Sequence, residues 1–222
     1  MANRLELVIF DCDGVLVDSE MIANDVMARV LSDAGLPITG AECRARFIGM
    51  SMASVRALAE QDLGDPLPDD FEQRIRRADV IAFEHDLKAV TGIEAALEAI
   101  PVPICLASSG SPEKIANSLR ITGLAPYFEG RAFSAVQVAN GKPAPDLFLL
   151  AAQKMAAPTD RCMIIEDSVQ GVIAGVRAGM PVLGFAGASH AVADPEHTAR
   201  LTEAGATAVF DDMTTLPGLL GF

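Results

Sequence analysis

Near its start the chain runs through Leu5-Glu6-Leu7-Val8-Ile9-Phe10 and then breaks off into Asp11-Cys12-Asp13-Gly14. A run this short, rich in branched and aromatic side chains, reads as a buried strand. Such a strand has no use for two carboxylates one residue apart, because an ionised group taken out of water without a partner is costly. Asp11 and Asp13 therefore belong at the strand's exit, facing a cation, a proton to be moved, or both.

Beyond that exit the pattern turns helical. Ile22, Val26 and Val30 recur at helical spacing, and Gly35 and Pro37 supply a stop. Thr39 and Glu42 have the spacing of a capping box, Ser51 can cap a helix carrying Val55 and Leu58, and Phe71, Ile75, Ala78 and Ala82 mark another. Residues 19–85 thus read as an all-helical unit. From Leu87 onward strands and helices alternate: Pro103–Ala107, Arg131–Ser134, Cys162–Ile165, Val182–Phe185 and Ala208–Phe210 are the strand candidates, with helices between most of them. The alternation predicts an α/β fold, a Rossmann-like parallel sheet with helices on both faces, with a small helical domain inserted after the first strand. The expected core domain is 1–18 with 86–222, and the insert is 19–85. In such a sheet ligands bind at the carboxyl ends of the strands, where Asp11, Asp13, Ser108, Glu166 and Asp167 fall. No GxGxxG or GxxxxGK[ST] pattern follows a strand, so nucleotide binding by those loops is not indicated.

Charge narrows the partners. The 222 residues carry 30 acidic and 17 basic side chains, a net charge of −13, with no basic stripe. Nucleic acid and anionic membrane are therefore poor partners. No apolar run reaches the roughly 18 residues that cross a bilayer, and no signal-like segment opens the chain, so a cytoplasmic protein is expected, as a monomer or weak homo-oligomer. Cys12, Cys43, Cys105 and Cys162 are scattered and mostly sit in or at the ends of apolar runs, which suits small buried side chains rather than a zinc or disulfide framework. His190 and His197 lie in an Ala-, Gly- and Pro-rich stretch whose spacing matches no common ligand pattern, and this stretch is expected to be an ordinary loop.

A lysine joins the polar clusters: Lys142, in Gly141-Lys142-Pro143-Ala144-Pro145-Asp146. Singly, Ser108 reads as a turn residue, Lys142 as a loop charge and Glu166-Asp167 as a capping pair. Together they form four patterns in order: Phe10-Asp11-Cys12-Asp13-Gly14-Val15-Leu16-Val17-Asp18-Ser19, Leu106-Ala107-Ser108-Ser109, Gly141–Asp146, and Ile164-Ile165-Glu166-Asp167-Ser168. This set resembles the haloacid dehalogenase superfamily of phosphotransferases, within it the branch of β-phosphoglucomutase, phosphoglycolate phosphatase and small sugar-phosphate phosphatases. The resemblance covers essentially the whole chain.

The resemblance implies a phosphatase acting on a small phosphorylated metabolite, with Asp11 as nucleophile forming an aspartyl-phosphate and Asp13 as general acid and base. It implies Mg²⁺ held by Asp11, the Asp13 carbonyl and Asp167, with Glu166 binding directly or through water. Ser108, Ser109 and Lys142 are implied as phosphate-binding residues. The helical insert corresponds to the family's cap, with Val15–Ser19 and Leu87–Gly92 as hinges, and Arg46, Gly49, Met50 and Ser51 are candidate substrate contacts. Where the mutase cap carries an arginine for a second phosphate this chain has Met52, and the histidine after the mutase's first motif is replaced near Ala23. Both departures disfavour a mutase, the runner-up. Asp13 disfavours a dehalogenase, since those members lack the second aspartate. The Asp-Cys-Asp-Gly form and cap length are similar to those of 6-phosphogluconate phosphatases. A rival of another class, a receiver-like phospho-switch, would place adjacent acids after its first strand and its phosphorylated Asp on a later one, and would lack so long an insert.

Overall fold

The computed structural model describes residues 4–47, 50 and 52–222. The chain divides into two compact units, one running to Asp18 and resuming over Lys88–Phe222, the other Ser19–Leu87.

The first unit is built on six parallel strands: β1 (Leu7–Phe10), β2 (Ile104–Ser108), β3 (Ala132–Ser134), β4 (Cys162–Glu166), β5 (Val182–Phe185) and β6 (Ala208–Phe210). Their order is β3-β2-β1-β4-β5-β6, so the chain reverses direction across the sheet at β1. This switch point sets the site. Phe10 is level with Leu106 on one side and Ile165 on the other, and the Asp11 amide still donates to the Ile165 carbonyl at 3.0 Å. The carboxyl ends of three neighbouring strands therefore open at one level. Ser108 and Glu166 are the last residues of β2 and β4, one step earlier than a turn position, and both are buried.

Burial explains why these strands are so apolar. Leu7 and Ile9 pack on one face with Phe148, Ala151, Val172 and Val182, while Phe10 points to the other and meets the Phe128 ring edge-on at 6.3 Å. With both faces covered, alternation along the strand is lost and every position is apolar. In this unit the helices are α5 (Ile93–Ala99), α6 (Pro112–Ile121), α7 (Ala125–Phe128), α8 (Asp146–Lys154), α9 (Val169–Arg177), α10 (Ser189–Val192), α11 (His197–Glu203) and α12 (Leu216–Leu219). Ser111 caps α6 by accepting from the Lys114 amide at 3.3 Å, with Pro112 in the first turn. The stretch bearing His190 and His197 is not an ordinary loop: it forms α10 and α11, and both imidazoles are buried. Its alanines, read as loop filler, are good helix formers once a neighbour packs on them.

The second unit holds α1 (Glu20–Asp33), α2 (Gly40–Phe47), α3 (Met52–Leu63) and α4 (Phe71–Asp86) around Val26, Leu31, Cys43, Val55, Phe71 and Ile75. The capping box at α2 is formed: the Glu42 amide donates to Thr39 Oγ1 at 3.2 Å, and the Thr39 amide donates to Glu42 Oε2 at 2.8 Å. Arg56 pins the turn before α4 by donating to the Leu67 and Pro68 carbonyls. The expected Ser51 cap lies outside the described residues.

This packing has two measurable consequences. Ile9→Ala, in the central strand with no exposed surface, should cost about 2–5 kcal/mol in urea unfolding, the range for truncating a buried aliphatic side chain. All four cysteines are free and buried, and burial pushes the Cys43 and Cys162 thiols up to about 11 and Cys105 to about 12. Ellman's reagent at pH 8 should therefore find no reactive thiol in the native protein and four after denaturation.

Candidate active site

The turn after β1 is drawn tight by one carbonyl. Cys12 O accepts from the amides of Leu16 at 2.9 Å and Val17 at 3.0 Å, and the Gly14 amide donates to Val17 O at 2.7 Å. Gly14 has φ +78°, and a Cβ there would stand 1.9 Å from Asp167 Oδ2, so position 14 must be glycine both for its backbone and for the carboxylate beside it.

Asp11, Glu166 and Asp167 are all buried, with carboxylate oxygens within 4.8 Å of one another. Into this cluster reaches Lys142, its Nζ 2.6 Å from Asp11 Oδ1 and 2.6 Å from Glu166 Oε1. The ammonium also lies 4.9 Å from the centre of the Phe148 ring, and Arg177 donates to the Pro143 carbonyl next door, so the lysine loop is held from two sides. Burial alone would push the Lys142 ammonium down, but Asp11 and Glu166 outweigh it and hold it above the usual lysine range. Burial pushes the Asp11 carboxyl well above its ordinary range; Lys142 pulls it back, and Glu166 and Asp167 push it up again. Burial therefore leads the Asp11 shift, whereas for Lys142 the two carboxylates beside it prevail over burial.

Glu166 has both oxygens engaged, Oε1 by Lys142 and Oε2 by the amide and hydroxyl of Ser168 at 2.8 and 2.9 Å. Ser168 in turn caps α9 by accepting from the Gly171 amide at 3.0 Å. The Asp13 carboxylate is outside the buried cluster and pairs with Lys114, Nζ to Oδ2 at 2.8 Å. Ser108 Oγ accepts from the Gly110 amide at 3.0 Å, which leaves its own proton for an incoming oxygen, whereas Ser109 is exposed. Burial pushes the Cys12 thiol well above its usual range, and Asp13 and Asp11 push it further, which suits a packing role. In the helical unit Arg46 is already paired with Asp62 and stacks 5.3 Å from the Phe47 ring, and Met50 is exposed. Gly49 and Ser51 lie outside the described residues.

Three participants escape sequence reasoning. Lys114 sits in the first turn of α6 with no diagnostic spacing. His190 Nε2 lies 3.1 Å from Asp167 Oδ2; its position just beyond β5, at the same end of the sheet as the acids, was the available signal. Gly171 is the third: a Cβ there would fall 1.7 Å from Glu166 Oε1.

Residues 5–179 match the family described as haloacid dehalogenase-like hydrolase. The chain belongs to that family. It is 32% identical to the 6-phosphogluconate phosphatase of Escherichia coli strain K12 over 85% of this chain and 86% of the relative. To the phosphorylated carbohydrates phosphatase of Thermotoga maritima it is 31% identical over 92% and 94%. A haloacid dehalogenase-like protein of Agrobacterium tumefaciens strain C58 superposes with a TM-score of 0.89, at 39% identity and 98% coverage of both chains. The parallel sheet with its helical insert is thus the fold of a haloacid dehalogenase-like hydrolase. Among the described residues no helix is long and apolar enough to cross a membrane.

In this hydrolase Glu166 fills the space a side chain at 171 would need. Gly171→Ala should keep the far-ultraviolet circular dichroism of the native protein but move the Glu166 carboxylate off Lys142. The expected loss in kcat is roughly 100-fold, the scale of an ångström-level misplacement. An activity within twofold of the parent would refute this account of Gly171.

Proposed function

We propose that this hydrolase is a Mg²⁺-dependent phosphatase of small phosphorylated carbohydrates, working through an aspartyl-phosphate on Asp11. The observation that carries the reading is Lys142, buried between Asp11 and Glu166 at 2.6 Å from each. An ammonium so placed fixes the Asp11 carboxylate while remaining next to the phosphoryl oxygens, whose charge otherwise repels an attacking anion.

The donor set fits a hard divalent cation: three clustered, buried carboxylates, two of which share one lysine. Asp11 and Asp167 would hold it directly with the Asp13 backbone carbonyl. Glu166, whose oxygens serve Lys142 and Ser168, would act through water. Bound there, Mg²⁺ supplies neutralisation and orientation of the phosphoryl group.

The steps belong to the side chains. One Asp11 oxygen attacks phosphorus in line with the leaving oxygen, forming the phospho-aspartate as the P–O bond to the sugar breaks. Asp13, entering as the acid, gives that oxygen its proton and becomes the carboxylate that pairs with Lys114; it then takes a proton from the water that attacks the acyl phosphate, which releases inorganic phosphate and returns Asp11 as a carboxylate and Asp13 as the acid. Lys114 has a part here: paired with Asp13 Oδ2, it draws that carboxylate away from the metal cluster, where the side chain would be a ligand rather than an acid and base. Ser108, with its proton free, donates to a phosphoryl oxygen. Ser109, exposed beside Ser108, is proposed for the same role on the family resemblance. The carbohydrate preference is supported by the names of the two phosphatase relatives.

Phosphate release from a panel of sugar phosphates and p-nitrophenyl phosphate, with Mg²⁺ and with EDTA, tests the reading. Release should need the metal. Asp11→Asn should lower kcat by at least about 10³-fold, as removal of a nucleophile does, with an unchanged circular dichroism spectrum. No release from any substrate, or retained turnover in Asp11→Asn, would overturn it.

A further inference from the structure

Beyond the residues that hold the metal or touch phosphate, the loop after β5 is built around Asp167. The Ala186 amide donates to the Phe210 carbonyl at 2.8 Å. Gly187 is pressed against the backbone beyond β6, where a Cβ would lie 2.0 Å from Asp211 O. Ser189 bonds Asp18 through its hydroxyl and its amide. Three fastenings within four residues leave little freedom to the adjoining His190. Its ring, 7% exposed, reaches Asp167 Oδ2 with Nε2 at 3.1 Å, and Cε1 would stand 3.0 Å from a Cβ at Gly14. His197 packs edge-on against it with ring centres 5.3 Å apart and is hydrogen-bonded to the Asp167 backbone. Burial, then the neighbouring His190 and Arg200, hold the His197 imidazole below its ordinary range. Its Nε2 is buried with no hydrogen-bond partner among the described residues, a cost that an apolar side chain would avoid.

We infer that His190 is a positioning residue for Asp167, presenting an Nε2–H that fixes the rotamer of the carboxylate, with His197 as the wall that fixes the His190 ring. The geometry supports this in two ways. The contact is to the oxygen that lies against Gly14, so the imidazole and the missing Cβ of the turn carrying Asp11 and Asp13 bound the same carboxylate oxygen. Lys142 serves Asp11 and Glu166, whereas Asp167 receives an imidazole. A carboxylate that ligates a cation is ordinarily oriented by an outer hydrogen bond, and loss of that bond typically costs 10–100-fold in metal affinity. His190 thus governs metal affinity rather than phosphate binding.

The inference rests on the metal site proposed above, and calorimetric titration of the purified 222-residue protein with Mg²⁺ alone separates the two. His190→Ala should weaken Mg²⁺ binding about 10–100-fold. His190→Gln, whose amide nitrogen reaches the place of Nε2, should restore most of it, and the shorter His190→Asn should not. The melting temperature of the metal-free protein should differ by less than about 2 °C between the Gln and Asn variants, the change expected of a sub-kilocalorie effect in a chain this long. If His190→Ala does not fold, the Gln and Asn pair carries the comparison. Asp167→Asn is the control. Weaker Mg²⁺ binding in that control, alongside parental affinity in His190→Ala or equal affinity in the Gln and Asn variants, overturns the role of His190 alone. Equal binding by the parent and Asp167→Asn overturns the metal site and the inference with it.

Discussion

The site depends on one buried cation. Lys142 comes from a loop between β3 and α8, far along the chain from Asp11, yet its ammonium lies between carboxylates from two adjacent strands. Removing one partner of such an arrangement leaves an uncompensated charge in a low-dielectric setting, which typically costs about 3–5 kcal/mol. Much of the surrounding structure keeps the arrangement from relaxing. Phe148 packs beneath the ammonium, Arg177 ties down Pro143, and Ser168 holds the far oxygen of Glu166 while capping α9. Glycine at 171 leaves the volume that the Glu166 carboxylate occupies.

One lysine among three buried acids does not neutralise them, and the imbalance is where fold and chemistry meet. It holds Lys142 above the usual lysine range, adds to the burial that pushes the Asp11 carboxyl up, and gives the cluster a donor set suited to a hard divalent ion. Asp13 stands apart, two residues from Asp11 and paired instead with Lys114. Two acids with the same side chain thus acquire different surroundings from the turn between them, and different surroundings are what the proposed division between a nucleophile and a proton carrier requires.

Much of this was legible in the sequence because it is encoded locally. The strand that stops at Asp11, the proline that opens α6 after Ser111, and the Thr39–Glu42 box each depend on residues within four positions of one another, and each was formed at the expected place. The haloacid dehalogenase family was legible too, since its four patterns come in a fixed order, three at the ends of β1, β2 and β4 and one in the loop before α8. His190 and His197 were misread because α10 and α11 are only 4 and 7 residues long, too short to show a helical period or to stand without packing against the sheet. Lys114 was missed for a related reason: a lysine in the first turn of a helix is ordinary until the turn after β1 is brought to face it.

By itself the sequence determined most of the elements, the parallel alternation and which carboxylates leave the strands, because apolar period, caps and breakers act over a few residues. The tertiary structure alone decided the partnerships. Strand order places β1 between β2 and β4, and that order brings Lys142 to Asp11, Lys114 to Asp13 and His190 to Asp167 across separations of 131, 101 and 23 positions. Charges so far apart in sequence have no local signal of pairing, and only the packed sheet gives each acid of the Phe10-to-Ser19 stretch its neighbour and therefore its role.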